Sequence, residues 1–249
     1  MADGGGEEKA YKLTVIEDEG LKEEIFKAYN NKDAAAKEYA AKLEQTKERK
    51  YSAGFTGTAR VEYPNGDTYE GGFHNGHKHG SGKYAYANGD TYEGEYAHNH
   101  KEGVGKLTIQ GQGYYFGYFK GGKKHGEGLF QYKNKDRYSG NWKYGKKHGT
   151  GTYIVDASKV KLVGTWFEGE LTEGKWILAN GDTYEGQFEY NKPKGQGTWT
   201  LKNGTKVSGD YSHEYLENDG KADDLHPIDP ATKLKIKLDW TTHSMASTA

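Results

Sequence analysis

The sequence predicts a mainly β protein: an elongated, twisted antiparallel sheet of stacked 23-residue β-hairpin repeats, preceded by a short N-terminal helical segment. A repeated motif is the first observation behind this prediction. The segment NGDTYEG starts at Asn65, Asn88 and Asn180, in steps of 23 and 92 residues. Because 92 is four times 23, the repeat keeps its phase through a stretch in which the motif is altered, as expected of a repeat array.

Composition is the second observation. The 249 residues include 37 glycines and 21 tyrosines, whereas only 33% are hydrophobic, which suits a thin sheet of rings packed against glycine better than a thick aliphatic core. Basic and acidic residues nearly cancel, 35 against 36, so the net charge does not favour nucleic acid as a partner. The absence of cysteine excludes disulfides, thiolate zinc sites and cysteine nucleophiles, and favours the cytosol.

Each repeat begins with an aromatic–x–Gly–x–aromatic pattern, such as Tyr69, Gly71 and Phe73. A period of two places these three residues on one face of a strand, where glycine leaves room for rings from the next strand. Asn-Gly pairs and similar polar turns follow, so each unit is predicted to be a β-hairpin. The repeat-structural residues are Tyr69, Gly71, Phe73, Tyr92, Gly94, Tyr115, Gly117, Tyr138, Gly140, Trp142, Gly164, Trp166, Tyr184 and Gly186.

Four segments are predicted. They are a disordered or extended N-terminus at 1–20, a helical segment at 21–50, the repeat array at 54–215, and a C-terminal linker and extended tail at 216–249. Asp33 is a suitable N-cap, and Tyr39 and Leu43 lie on one helical stripe that either caps the array or docks elsewhere. Residues 233–238 alternate in polarity and predict an added strand, whereas residues 241–249 are expected to be loose.

No catalytic, cofactor-binding or metal-binding residue is predicted. His79, His125 and His148 share one repeat position, but adjacent repeats lie roughly 10 Å apart, too far for one zinc ion. His77 and His79 would hold an ion only weakly, and a role in the turn is favoured for them. The sequence contains no phosphate-binding glycine loop or nucleophile elbow, and its carboxylates recur at turn positions instead of forming a unique pair. An enzyme is therefore not expected.

The turns divide by charge. One edge of the predicted sheet carries basic turns, including Lys123, Lys124, Lys146 and Lys147, and the other carries Asp67, Asp90, Asp136, Asp156 and Asp182. The functional interpretation is a platform for an acidic protein or for anionic lipid headgroups. The alternative is that edge charges only prevent aggregation. The hypothetical partner-binding residues are the following: Tyr39, Leu43, Tyr86, Tyr132, Lys123, Lys124, Lys146 and Lys147.

The run YSGNW at 138–142, followed by KHGTG at 147–151, resembles the MORN repeat (membrane occupation and recognition nexus), and the resemblance covers about residues 54–211. The array is also similar to the MORN block of radial spoke head proteins of cilia and flagella. In both, a unit of the VGTW type, here at 163–166, loses its Gly-x-Gly at EGKW, 173–176, before one more repeat.

This resemblance implies a non-catalytic scaffold of the axoneme, in the cytoplasm and cytoskeleton of a cilium or flagellum, which shapes motility through protein contacts. The implied partners are other radial spoke head proteins, a second copy of the chain and the central apparatus surface, with no nucleic acid and no cofactor. The alternative hypothesis is a peripheral membrane tether that binds anionic phospholipids through the basic turns. A general cytosolic adaptor is a third.

Overall fold

The computed structural model describes residues 12–15, 54–216 and 235–246. Within these residues the chain forms strands and no helix. The predicted helical segment at 21–50, with Tyr39 and Leu43, lies outside the described residues, as does the segment 217–234. The chain divides into two compact units, of which the first ends at Lys123 and the second begins at Lys124.

In the first unit each strand pairs antiparallel with the next in sequence. The strands are β1 (Lys12–Val15), β2 (Gly57–Glu62), β3 (Thr68–His74), β4 (His77–Ala85), β5 (Thr91–Ala97), β6 (His100–Ile109) and β7 (Gly113–Lys120). The predicted antiparallel hairpin repeats are thus confirmed in this unit.

The second unit has the same architecture. Its strands are β8 (Lys123–Tyr132), β9 (Arg137–Lys143), β10 (Lys146–Ile154), β11 (Lys161–Phe167), β12 (Glu170–Ile177), β13 (Thr183–Glu189), β14 (Lys192–Thr200), β15 (Lys206–Leu216) and β16 (Lys235–Ala246). The last strand is longer than the predicted strand at 233–238. Residues 241–246, expected to be loose, pair with β15.

Two-residue turns close the hairpins. Both turn residues have positive φ, as at Asn75 (48°) with Gly76 (78°) and at Tyr144 (51°) with Gly145 (90°). This geometry matches the right-handed twist of paired strands and explains why each of these turns contains Gly or Asn. Each turn is also tied to the hairpin before it, since the Gly145 N–H donates to the Lys124 carbonyl at 2.9 Å. The turns therefore stack as well as reverse the chain.

The first tyrosine of each repeat lies flat over a pair of glycines. Gly71 faces Gly82 across β3 and β4, and a Cβ at Gly82 would lie 2.3 Å from the Tyr69 hydroxyl oxygen. The Tyr69 hydroxyl donates to the Gly72 carbonyl at 2.9 Å, and its ring meets Phe73 edge-to-face at 5.2 Å between centroids. Tyr92, Tyr115 and Tyr138 repeat this hydrogen bond, three residues ahead in each case. We call the sheet face that carries these rings the aromatic face of each unit.

The Asn-Gly-Asp turns at the other ends of the strands connect neighbouring hairpins. The Asn65 side chain accepts a hydrogen bond from the Asp67 amide at 3.1 Å, which fixes the turn. The two carboxylate oxygens of Asp67 then accept from the Ala87 amide, at 2.8 Å, and from the Tyr84 hydroxyl, at 2.7 Å. Asp136 makes the same pair of bonds to Asp156 and Tyr153. The repeated Asn-x-Asp sequence, NGD at 65–67 and NKD at 134–136, is therefore a structural clamp.

Candidate interaction surfaces

Lysines at one repeat position lie over the aromatic face of each unit: Lys78 and Lys101 in the first, and Lys124 and Lys147 in the second. The ammonium of Lys124 is 4.2 Å from the Trp142 ring centroid, and that of Lys147 is 4.4 Å from Trp166. Burial lowers the pKa of Lys124 to about 8. The sequence-based expectation that Lys124 and Lys147 line an outward basic edge therefore needs correction, because the two-residue turn places Lys147 directly opposite Trp142.

Lys123 and Lys146, by contrast, are exposed. Lys146 forms an ion pair with Glu168. Further along the same edge, Lys194 pairs with Glu189, and the Lys192 ammonium donates to the Ile236 carbonyl at 3.2 Å. Several of the positive charges at this edge thus have partners within the chain, although the side chains of Lys146 and Lys194 remain partly exposed to solvent.

The opposite edge is not an open acidic surface either. Asp67 and Asp136 are only 8% and 7% exposed, because both act as clamps between turns. Burial alone would raise the pKa of the Asp67 carboxyl, but the hydrogen bonds from Ala87, Tyr84 and Asn65 outweigh it, so the pKa lies below its ordinary value. Asp90 and Asp182 each accept one backbone amide of the next turn.

The predicted repeat-structural rings lie in the core: Tyr69, Tyr92, Tyr115, Tyr138 and Tyr184 have no exposed surface. The second aromatic residues of the pattern, Phe73, Trp142 and Trp166, are at most 6% exposed. The predicted partner-binding rings are only half-buried. Tyr86 packs 4.5 Å from Tyr84, and Tyr132 packs 4.5 Å from Phe130, between ring centroids.

The opposite face of the first unit carries a row of alternating charges that sequence reasoning missed. The five residues lie directly opposite one another on successive strands: Arg60, Glu70, Lys83, Glu93 and Lys106. We call this row the charge ladder. Its sequence signal is the residue after the first tyrosine of each repeat, together with its cross-strand partner. In the second unit the corresponding row runs through Ser139, Thr152 and Val163 to the ion pair of Lys175 with Glu185. A shallow depression of about 570 Å³ lies around the first three of these residues.

The charge ladder ends at Phe116, which lies opposite Lys106 on β7. Phe116 and Tyr118 are each 52% exposed. Other repeats place polar or small residues at these two positions, for example Glu93 and Glu95, so YFGYF at 115–119 departs from the YEGxF pattern. Exposed paired aromatics of this kind mark contact surfaces more often than isolated exposed residues do. This departure was readable from the sequence and was missed.

Histidines cluster at the turns of the first unit. The ring of His79 lies 5.7 Å from that of His74 and 6.0 Å from that of His98, between centroids. Among the described residues, no group of three or more His, Cys, Asp or Glu side chains is arranged to hold a metal ion. Nor does any helix in this part of the chain have the length and hydropathy to cross a membrane.

Comparison with known proteins agrees with this geometry. The family model of the MORN repeat matches five segments, 69–91, 92–113, 115–137, 138–154 and 184–206. The chain therefore contains MORN repeats, and the altered unit predicted at 163–176 falls between two matched segments. A comparison with curated proteins found no match.

Two solved structures are similar. One is the SAS-4 (dCPAP) TCP domain of Drosophila melanogaster in complex with a proline rich motif of Ana2 (dSTIL), at 18% identity over 61% of this chain and 77% of that chain, with a TM-score of 0.34. The other is the TCP10 domain of Danio rerio CPAP with a peptide of Danio rerio STIL, at 11% identity over 78% and 96%, with a TM-score of 0.31. Scores this low support no functional conclusion.

Proposed function

We propose that the protein is a non-catalytic scaffold that binds other proteins, as a subunit of the radial spoke head in the axoneme of a cilium or flagellum. MORN repeats indicate an interaction module, for proteins or for membranes, and their β-sheet fold is a non-enzymatic repeat module. The observation that favours a protein partner is the exposed pair Phe116 and Tyr118 beside the charge ladder. Aromatic residues are enriched at protein interfaces, and a charged surround supplies specificity.

The axonemal part of the proposal rests on the resemblance of the array to radial spoke head proteins. Its partners would be other spoke head subunits, a second copy of the chain and the central apparatus surface. The altered unit, which carries that resemblance, keeps its hairpin, since Gly164 of β11 still faces Gly174 of β12. It therefore extends the sheet of the second unit without a break, as a scaffold requires.

The test is localisation of a tagged chain in a ciliated cell before and after detergent extraction. We expect the signal to persist along the axoneme. The double variant Phe116→Glu/Tyr118→Glu should lose that signal while folding normally, because it gives the third repeat the YEGEx pattern of the second. Tyr144→Asn is the matched control, since Tyr144 is 68% exposed at a turn and should be dispensable. Signal that leaves with the membrane would contradict the proposal.

A second candidate is peripheral membrane binding. The observation in its favour is the turn edge of the second unit, where exposed Tyr144 and Phe167 lie among Lys143 and Lys146. Aromatic and basic side chains together are typical of membrane-surface contacts. This candidate predicts salt-sensitive binding to anionic vesicles that Lys143→Glu/Lys146→Glu abolishes and Phe116→Glu/Tyr118→Glu leaves intact.

A further inference from the structure

A cavity of about 230 Å³ lies on the aromatic face of the first unit, beside the turn that follows β5. Its lining combines cations with hydroxyl-bearing rings: Lys78, Lys101, His100, Tyr84, Tyr86 and Tyr96. Neither the proposed scaffold role nor the sheet itself requires this combination, so the cavity needs a separate explanation.

Tyr96 provides the first part of that explanation. It is 4% exposed, and its hydroxyl has no hydrogen-bond partner. Other repeats do not leave such a group at the position that Tyr96 occupies. Phe73 and Phe119 have no polar side-chain atom there. Trp142 and Trp166 donate their indole N–H groups to backbone carbonyls, at 3.1 and 3.0 Å. Folded proteins leave few buried polar groups unpaired, so the Tyr96 hydroxyl calls for an explanation.

The two lysines provide the second part. The Lys78 ammonium lies 4.7 Å from the Tyr84 ring centroid and 5.8 Å from that of Tyr96, and the Lys101 ammonium lies 5.4 Å from that of Tyr86. Among the described residues neither ammonium has a carboxylate within the 4.0 Å of an ion pair. Burial lowers the pKa of Lys78; Asp67 opposes this effect, and the nearby charge of Lys101 adds to it. Two partly desolvated cations thus repel each other beside an unpaired donor.

We propose that this cavity binds the phosphate group of a phosphate monoester, with Lys78 and Lys101 as the cationic partners and the Tyr96 hydroxyl as a donor. A dianion balances both ammonium groups, whereas a single carboxylate leaves one positive charge uncompensated. Lysine binds phosphate as a point charge, and hydrogen bonds to an ionised acceptor are stronger than neutral ones. His100 adds a further nitrogen at the cavity wall. The same chemistry is available from a soluble monoester or from a lipid headgroup.

The test is calorimetric titration of the full chain with phenyl phosphate and with inorganic phosphate at neutral pH. We expect saturable binding that Lys101→Met weakens at least about tenfold and Tyr96→Phe weakens about tenfold, the usual effect of losing a charge-assisted bond. Lys147→Met is the matched control, because Lys147 holds the same repeat position over rings but has no unpaired hydroxyl beside it. The affinity of the Lys147→Met variant for phosphate should equal that of the unmodified chain.

Melting curves keep the result interpretable if a variant is less stable. The same phosphate concentration should raise the Tm of the unmodified chain and of Lys147→Met by more than that of Lys101→Met. Without phosphate, Tyr96→Phe should melt higher than the unmodified chain, because it removes the unpaired hydroxyl.

Vesicles with and without phosphatidic acid distinguish the two sources of phosphate. Vesicle binding that needs Tyr96 and Lys101 and that phenyl phosphate displaces would support the site with a lipid ligand. The proposal is overturned if neither soluble phosphate nor these vesicles bind saturably, or if Lys147→Met weakens binding as much as Lys101→Met.

Discussion

At the scale of single residues, the most informative group is the lysine that follows each tight turn. Its ammonium lies over aromatic rings, where the ring faces favour the positive charge and the loss of hydration opposes it. At Lys124 the loss of hydration dominates, since the pKa falls to about 8. A basic residue that looks like a surface charge in sequence is thus half-buried over the rings, with a pKa of about 8.

Lys124 should therefore make stability depend on pH. In the unfolded chain its pKa is near 10.4, so between pH 8 and about 10 the unfolded state binds a proton that the folded state has released. The free energy of unfolding should rise with pH across this window and be independent of Lys124 below it. Urea titrations at pH 7.5 and 9.5 should show a rise in the free energy of unfolding, relative to Lys124→Met, of about 2 kcal/mol.

The neighbouring Lys123 offers a control, because it is exposed. Lys123→Met should keep the pH dependence of the unmodified chain. If Lys124→Met also kept it, the low pKa of Lys124 in the folded state would be refuted.

At the scale of the hairpin, the Asn-x-Asp turn couples one repeat to the next, as in Asn134-Lys135-Asp136. Asn134 fixes the turn through the Asp136 amide, and the Asp136 carboxylate reaches the following repeat through Tyr153 and the Asp156 amide. Stacked repeats derive their stability from such contacts with neighbours, since an isolated hairpin is marginal. The clamp is thus part of the interface between repeats.

Removing the clamp should be costly. Asp136→Ala leaves the Tyr153 hydroxyl and the Asp156 amide without their acceptor, and the expected loss is about 2–3 kcal/mol. Asp182→Ala is the matched comparison in the same unit, because Asp182 accepts the Lys202 amide but holds no tyrosine. Its loss should be about 1 kcal/mol. Equal losses in urea unfolding would show that the tyrosine bond contributes nothing.

The hairpins could be predicted because their signals are local. A 23-residue phase, Asn-Gly turns and alternating rings fix strand, turn and core face within one repeat. The direction of Lys124 and Lys147 was missed because it depends on register: a two-residue turn at Tyr144 and Gly145 pairs Trp142 with Lys147. The role of Asp67 was missed because its partners Tyr84 and Ala87 belong to the next repeat. The exposure of Phe116 could not be predicted, because the sequence does not show which face of the sheet the core leaves uncovered.

At the scale of the whole molecule, the core of each unit is a single layer in which tyrosine takes the place of aliphatic residues. Burial raises the pKa of Tyr69, Tyr92, Tyr115 and Tyr138 well above the ordinary value near 10, and that of Tyr184 to about 12. The fold therefore holds many neutral phenols that ionise only with difficulty.

Alkaline pH should unfold the protein cooperatively for this reason. A group whose pKa is raised by folding contributes stability that is complete below its unfolded pKa and is lost as the pH rises beyond that value. Above pH 10 each buried tyrosine ionises in the unfolded chain alone, and the destabilising effects of the individual tyrosines add.

Tyrosinate absorbance at 295 nm should therefore show a late step that coincides with the loss of the far-ultraviolet strand signal. In denaturant the same chain should titrate in one step near pH 10. Complete ionisation with the strand signal intact would mean that the rings are open to solvent, contrary to the single aromatic layer on which both the scaffold and the phosphate site depend.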